Sequence, residues 1–296
     1  MKRRKKWPSI LIHLCFILGS LLFIIPFALV VSASFTDEQT LLAEGYKLFP
    51  SQFSLEAYRY VFRSPGQLID SYQVTIIYSF LGTFLAVLIM SMMAYPLSRS
   101  NYKYKKIVMF FVFFTMLFSG GLIPTYIWNT RFLHLGDTIW IYILPNLVNA
   151  FHIIVIRTFF QGLPPALMES AKIDGARELQ IFFKIVIPLS KPVIATIALL
   201  TLLARWNDWN TALIYIKSKE LYSLQYLLQK ILREAQFVKD MADAAPVAGI
   251  DIDMSNLPSE TIRFAMCMVA AGPMLVVFPF FQKYFAKGLT VGAVKG

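Results

Sequence analysis

Six apolar blocks, each about as long as a bilayer is thick, leave this chain few folds to choose from. They run Ser9–Ala33, Ile69–Leu97, Ile107–Trp128, Thr138–Phe159, Pro192–Leu213 and Ile262–Phe281. About 20 apolar residues in a helix cross the roughly 30 Å of hydrocarbon, so each block reads as one membrane span. Composition agrees: 57% of the residues are hydrophobic and 15% charged, against roughly 45–50% and 25% in soluble domains. Pro26, Pro96, Pro124, Pro145 and Pro279 lie within or at the ends of the blocks. They mark kinks or ends, because neighbouring helices can re-satisfy the carbonyls that a proline frees. No internal repeat or Pro/Ser-rich linker divides the sequence. Residues 1–296 therefore read as a single transmembrane domain with core spans over about 69–281.

Basic residues in alternate loops set the orientation, since short cytoplasmic loops accumulate Lys and Arg. One set comprises the N-terminus (Lys2, Arg3, Arg4, Lys5, Lys6), the 99–106 loop (Arg99, Lys103, Lys105, Lys106), the 157–191 segment (Arg157, Lys172, Arg177, Lys184, Lys191) and the tail (Lys283, Lys287, Lys295). It holds seventeen of the 28 basic residues but only three of the 17 acidic ones, Glu169, Asp174 and Glu178. This set reads as cytoplasmic, with both termini inside. The same partition accounts for the net charge of +11 without nucleic-acid binding. The first block is 25 residues long, past the roughly 7–15 of a cleavable signal's apolar region, and so reads as an uncleaved signal anchor. Cys15 and Cys267 fall inside apolar blocks with no metal-ligand spacing and read as packing residues. The 35–68 and 206–261 segments face the other side. The second is the longer, with helical signals around Leu221–Lys239 and an exposed loop over 240–258.

Polar residues inside spans are expensive, and they usually face a bundle interior or a pathway. Gln73, Thr75, Tyr78, Ser79 and Thr83 lie along the second block, and Asn146, Asn149 and His152 along the fourth. Interhelical hydrogen bonding is the plain reading of each. Sugar hydroxyls need the same groups, so the sequence does not separate the two roles. The cluster Arg205-Trp206-Asn207-Asp208-Trp209-Asn210 ends the fifth block. It reads as an interfacial aromatic anchor or as a carbohydrate contact, ring faces stacking while amides and a carboxylate bond hydroxyls. The candidate substrate path is thus Tyr78, Asn146, Asn149, Trp206, Asn207, Asp208 and Trp209.

The cytoplasmic loop at 160–191 has a distinct local plan. Leu163-Pro164-Pro165 opens a helix, because proline is tolerated in the first turn, and Ala166 to Asp174 continues it. Gly175 ends it as a left-handed cap. A second helix, Ala176–Val186, leads to Pro188, and Pro192 opens the fifth span. A two-turn helix is marginal in water on its own, so this one needs a surface. That surface is either the lipid headgroups or a cytoplasmic partner, with Glu169, Lys172 and Lys184 at the rim and Ala171 and Gly175 small enough for close approach.

The run Glu169-Ser170-Ala171-Lys172-Ile173-Asp174-Gly175-Ala176, followed by Ile185, Pro188 and Leu189, resembles the EAA loop of permease subunits in binding-protein-dependent ABC importers. With Asp174 before the glycine and Pro192 after it, the run is similar to the carbohydrate branch of that family. Three further stretches are similar to the same branch: Ala94-Tyr95-Pro96-Leu97-Ser98-Arg99, Trp206-Asn207-Asp208, and Lys287-Gly288-Leu289-Thr290 through Gly296. Together they extend the resemblance from about residue 70 onward. Ser170 stands where the family often has alanine, and is similarly small.

The resemblance implies an all-α integral membrane protein of six transmembrane helices, with the type I ABC importer permease fold, in the bacterial cell membrane. It implies that Glu169, Ser170, Ala171, Lys172, Asp174, Gly175 and Ala176, with Pro188 behind them, form a coupling element seated in an ATPase subunit. The implied partners are a second homologous permease subunit, two ABC ATPase subunits, an extracytoplasmic solute-binding protein, a carbohydrate substrate and the membrane lipid. The 206–261 segment resembles the subgroup that handles larger oligosaccharides, some of them uronate-containing. This chain has no G-x-x-x-x-G-K-[ST] stretch. It is therefore expected to bind no cofactor and to be no enzyme, with ATP and Mg acting in the partner. The alternative is an ion-coupled secondary transporter of small polar solutes, for which acids or broken-helix repeats inside the spans are expected. Apart from Asp70 and Asp208 near their ends, the blocks contain no Asp or Glu. A membrane-embedded enzyme needs a clustered constellation, whereas His13, His134 and His152 are scattered.

Overall fold

A computed structural model describes residues 6–244 and 260–293. Its helices in chain order are α1 (Lys6–Ser34), α2 (Glu38–Glu44), α3 (Glu56–Val61), α4 (Pro65–Ser98), α5 (Lys105–Leu117), α6 (Leu122–Ile127), α7 (Trp140–Ile143), α8 (Ala150–Gln161), α9 (Pro165–Ile173), α10 (Glu178–Ile181), α11 (Ile187–Leu189), α12 (Lys191–Trp206), α13 (Asn210–Tyr215), α14 (Leu224–Ala244) and α15 (Glu260–Ala293). Among the described residues the only β pairing is a single bridge between Thr36 and Phe53. The chain divides into two compact units.

One unit comprises the chain up to Pro65 together with Leu228–Met274. Phe16, Leu22 and Phe23 of α1 are all exposed, the arrangement expected where the solvent is lipid. Asp37 starts α2 by accepting the Thr40 N–H, and Phe35 stacks on both Phe53 and Tyr58. The Glu38 carboxylate accepts the N–H groups of Glu260 and Thr261, each at 2.9 Å, and the Thr261 hydroxyl at 2.7 Å. A distant acid thus caps the start of α15, satisfying donors that no helix can satisfy for itself.

The other unit comprises Gly66–Leu227 and the chain from Leu275 onward. Along its α4 a row of mostly small residues faces inward. Ser71, Thr75, Ser79, Thr83, Ala86, Met90 and Ala94 recur at near-helical spacing and are buried, whereas Ile69, Ile77, Phe80 and Phe84 are exposed. Small residues let helix backbones approach, and lipid solvates the large ones as well as a core does. Tyr78 of α4 stacks on Tyr142 of α7 with ring centroids 4.4 Å apart.

Among the described residues three helices are long and apolar enough to span a membrane: Ile12–Ser34, Pro65–Ser98 and the Glu260–Phe280 part of α15. The other three expected blocks are interrupted as helices, and their bounds shift. Ile107–Trp128 is broken between α5 and α6, and the two arms, the second extended by a π-helical turn to Phe132, meet at 114°. The first arm ends where Phe118 turns extended, and Ser119-Gly120-Gly121 makes the corner, with Gly121 at a φ of 80° leading into the second arm. Thr138–Phe159 is also interrupted, because Pro145 cannot donate to the preceding turn and Asn149 restarts the chain by capping α8. Pro192–Leu213 ends as a helix at Trp206, and α13 begins afresh at Asn210. Taken as bent pairs, α5 with α6, α8 with α9, and α10–α11 with α12 each pass the same length and composition test, for up to six spans.

Other boundaries shift less. The first loop helix, expected over Ala166–Asp174, is Pro165–Ile173, and the second begins at Glu178 rather than Ala176 and runs through a π turn, Phe182–Val186, to Leu189. The helix expected around Leu221–Lys239 is Leu224–Ala244, so residues 240–244 are helical rather than loop. The remainder of the expected 240–258 loop lies outside the described residues, as does the end of the C-terminal motif.

Where the fourth block breaks, Arg205 of α12 fills the gap. Its guanidinium donates to the carbonyls of Tyr142 and Asn146, both at 2.8 Å, while the Tyr78 hydroxyl donates to the Arg205 carbonyl at 2.9 Å. The guanidinium lies against the backbone of Gly82, where a Cβ would stand 2.5 Å from Nη1. Gly82→Ala is therefore expected to displace the buried arginine and cost about 1–3 kcal/mol. Thermal unfolding of the detergent-purified protein checks this. Gly66→Ala, whose Cβ meets nothing within 4 Å, should leave the midpoint unchanged.

Candidate functional site

The 160–191 loop builds a projecting helix that is tied down at both ends. Pro164 precedes α9 and Pro165 occupies its first turn. At the other end Gly175 adopts a φ of 81°, its N–H bonds the Lys172 carbonyl at 3.0 Å and the Ala176 N–H bonds the Ala171 carbonyl at 2.9 Å. This pair of bonds is a Schellman closure, in which the left-handed residue is almost obligatorily glycine. A Cβ on Gly175 would meet nothing within 4 Å, so the requirement within the chain is conformational rather than steric. Inwardly, Met168 is buried and Ala171 half-buried against the core of Ile156, Phe160 and Ile181. Outwardly, Glu169, Ser170, Lys172, Asp174 and Gly175 are exposed, and Ile173 is 86% exposed.

A polar network fixes α9 to the rest of the unit. Lys172 pairs with Glu178 of α10, whose Oε2 accepts the Tyr95 hydroxyl at 2.7 Å. Arg99 in turn donates to the Tyr95 oxygen at 2.7 Å and lies over the Tyr95 ring. The Lys172 ammonium and then the Tyr95 hydroxyl hold the Glu178 carboxyl below the ordinary carboxylate range. Arg157 of α8 donates to the Leu97 carbonyl at 3.0 Å, closing the end of α4. Glu169 and Lys172 also share the wall of a cavity of about 490 Å³ with Arg99 and Lys105. Pro188 stands apart in α11 and is exposed. Sequence reasoning used Ala94–Arg99 only as a signature; the structure gives Tyr95 and Arg99 a physical task, with Glu178 as the hub it missed.

A second cavity, of about 360 Å³, has Met90, Asn146, Asn149, His152, Thr201, Arg205 and Asp208 in its wall. Of the candidate substrate-path residues, this brings together Asn146, Asn149 and Asp208. The other four lie elsewhere. Tyr78 and Trp206 are buried in packing, with 0% and 2% exposure, Asn207 is exposed and donates to the Leu203 carbonyl, and Trp209 is exposed outside the cavity wall. Asn149 caps α8 through the His152 N–H, and Asp208 Oδ1 accepts the Thr211 N–H at the start of α13. Arg205 and His152 were read only as members of wider polar groups and left out of the candidate path, and Thr201 was not singled out. A lone arginine within an otherwise apolar helix was the available signal. Among the described residues no group of three or more His, Cys, Asp or Glu is placed to hold a metal ion.

Comparison with known proteins puts this geometry in context. The family model described as binding-protein-dependent transport system inner membrane component matches residues 92–291. The chain is 40% identical over 294 residues to the polygalacturonan/rhamnogalacturonan transport system permease protein YtcP of Bacillus subtilis, covering 97% of this chain and 98% of that protein. It is 30% identical to the arabinooligosaccharides transport system permease protein AraQ of the same organism, over 97% and 96% of the two chains. A solved structure of a bacterial ABC transporter involved in the import of the acidic polysaccharide alginate matches with a TM-score of 0.74 and 26% identity, over 96% of this chain and 99% of that one.

Two outcomes follow from the loop geometry. Gly175→Ala should destabilise the α9 turn by about 1–2 kcal/mol, because the left-handed backbone rather than a clash carries the cost; faster amide exchange at residues 171–176 measures it. Because the Glu178 carboxyl is depressed in the folded chain, its contribution is present above the ordinary carboxylate range and is lost as pH falls through the lowered value. Glu178→Gln is expected to flatten that acid-side dependence of exchange in α9, and an unchanged pH profile would count against the network.

Proposed function

The chain belongs to the family of binding-protein-dependent transport system inner membrane components, and from that membership we propose that it is the membrane-spanning permease subunit of an ATP-driven carbohydrate importer whose cargo is an oligosaccharide. Two relatives covered nearly end to end are named for transport of polygalacturonan/rhamnogalacturonan and of arabinooligosaccharides, and the alginate-importing neighbour points the same way. The family match favours this reading over an ion-coupled secondary transporter.

In the proposed mechanism α9 and its Gly175 turn are the coupling element. The observation that carries this is the contrast between its two faces: an inner face anchored by Met168, with Lys172 reaching Glu178 at the rim, and an outer face on which Ile173 is 86% exposed. A rigid tie on one side and an unfilled apolar contact on the other is what a lever needs. ATP and Mg act in two ABC ATPase subunits, each seating one coupling helix, and a second homologous permease completes the pathway. A solute-binding protein delivers sugar at the opposite, extracytoplasmic face. Both termini and the loop are on the cytoplasmic side, as the distribution of Lys and Arg favours. Closure of the ATPases rotates the coupling helices and switches the bundle between inward- and outward-facing states; the ATP-bound partner must favour one of them. This chain contributes no hydrolytic step.

Ile173→Asp tests the reading without disturbing the chain's own packing. Sugar-stimulated ATP hydrolysis by the reconstituted complex should fall by about tenfold or more, the scale of losing one interface anchor, while the permease remains in the membrane at its normal level. Unaltered stimulation would remove α9 from the coupling role.

A further inference from the structure

The cavity beside Arg205 has a chemistry that ordinary packing does not explain. Three residues in its wall each carry a buried polar atom with no partner among the described residues: Arg205 Nε, Thr201 Oγ1 and His152 Nδ1. Arg205 is 5% exposed and Thr201 7%. Buried donors are nearly always satisfied, and leaving one unmade costs more than a typical hydrogen bond contributes. Arg205 is the sharper case. Its hydrogen-bond partners among the described residues are two backbone carbonyls, which take up two of the five N–H donors of a guanidinium and none of its charge. Asp208 shares the cavity wall, yet it makes no ion pair with Arg205, and its Oδ1 is engaged by the Thr211 N–H. Asp208 thus acts on the guanidinium only through space, and a buried cation without a contact ion pair favours an anionic oxygen above any neutral acceptor.

We propose that this cavity is a subsite for a carboxylate-bearing sugar residue, the sugar acid's carboxylate pairing with Arg205 and its hydroxyls with Thr201, Asn146, Asn149 and Asp208. This rests on the reading of the chain as a carbohydrate permease and narrows the cargo to acidic oligosaccharides. The volume, about 360 Å³, is at the small end of ligand pockets, which run from roughly 300 Å³ upward. One ring of a longer chain occupies it at a time. His152 Nδ1 supplies a further donor or acceptor at the same wall.

Substrate protection tests the assignment. Thr211, in the cavity wall, is replaced by cysteine in a background of Cys15→Ser and Cys267→Ser, and labelling by a small polar maleimide is followed in the assembled transporter. Trigalacturonate should protect the new thiol, and its carboxyl-reduced counterpart, galactotriose, should not. Thr201→Val, close to isosteric, should raise the protecting concentration about five- to tenfold, the scale of one hydrogen bond, with membrane level unchanged. Equal protection by both sugars, no protection by either, or no labelling in the assembled complex would overturn the subsite. Uptake stimulated only by neutral oligosaccharides would also overturn it while leaving the importer reading intact; the importer reading itself falls if no sugar stimulates ATP hydrolysis.

Discussion

Arg205 reaches across to the point where a membrane-inserted segment gives up its helix. Proline at 145 withdraws a donor, the chain between Ile143 and Asn149 leaves the α-helical path, and carbonyls at the break need donors that hydrocarbon does not provide. The guanidinium takes two of them and rests on Gly82 of α4. Around that contact the Tyr78–Tyr142 stack, the Thr75 hydroxyl accepting the Leu224 N–H and the Tyr142 hydroxyl donating to Leu221 join four separated stretches of chain. A cation is costly in such a place, and the two carbonyls offset part of that cost.

The opposite functional end of the same unit uses charge differently. Lys172, Glu178, Tyr95 and Arg99 form a chain of contacts running from α9 through α10 to the end of α4. Lys172 and Glu178 are substantially exposed, so solvent screening keeps their pairing modest in energy. Its value is directional: it couples the attitude of a short exposed helix to the end of a long spanning one. Met168 beneath α9 supplies the apolar anchor, and the Gly175 turn keeps the outer face clear of the chain's own side chains.

The plan of the 160–191 loop was legible because its signals are local. Two prolines, a helix-permitting run and a glycine dictate α9 to within a residue, since capping and backbone preference act over a few positions. The six apolar blocks were legible for a similar reason. What hydropathy could not reveal was continuity, because it registers content and not direction. Ser119-Gly120-Gly121 and Pro145 sit in blocks apolar enough to average over them, so the breaks and the 114° bend are invisible to a window. Asn146, Asn149 and Asp208 were identified by type as pathway candidates, but Tyr78 and Trp206 carried the same polar-aromatic signal and are packed out of reach. Burial depends on what the rest of the chain places opposite a residue.

By itself, then, the sequence determined the solvent this protein lives in, its helical class, the family resemblance and the turn that shapes the loop. Each follows from composition or from neighbours within a few residues, where the physics is local. Tertiary structure alone decided that Glu178 ties the loop to Tyr95, that Glu38 caps a helix beginning more than two hundred residues away, and that Arg205, Thr201 and His152 share one cavity. Those depend on distances between residues remote in sequence, which packing sets once small side chains let the helices of each unit close on one another.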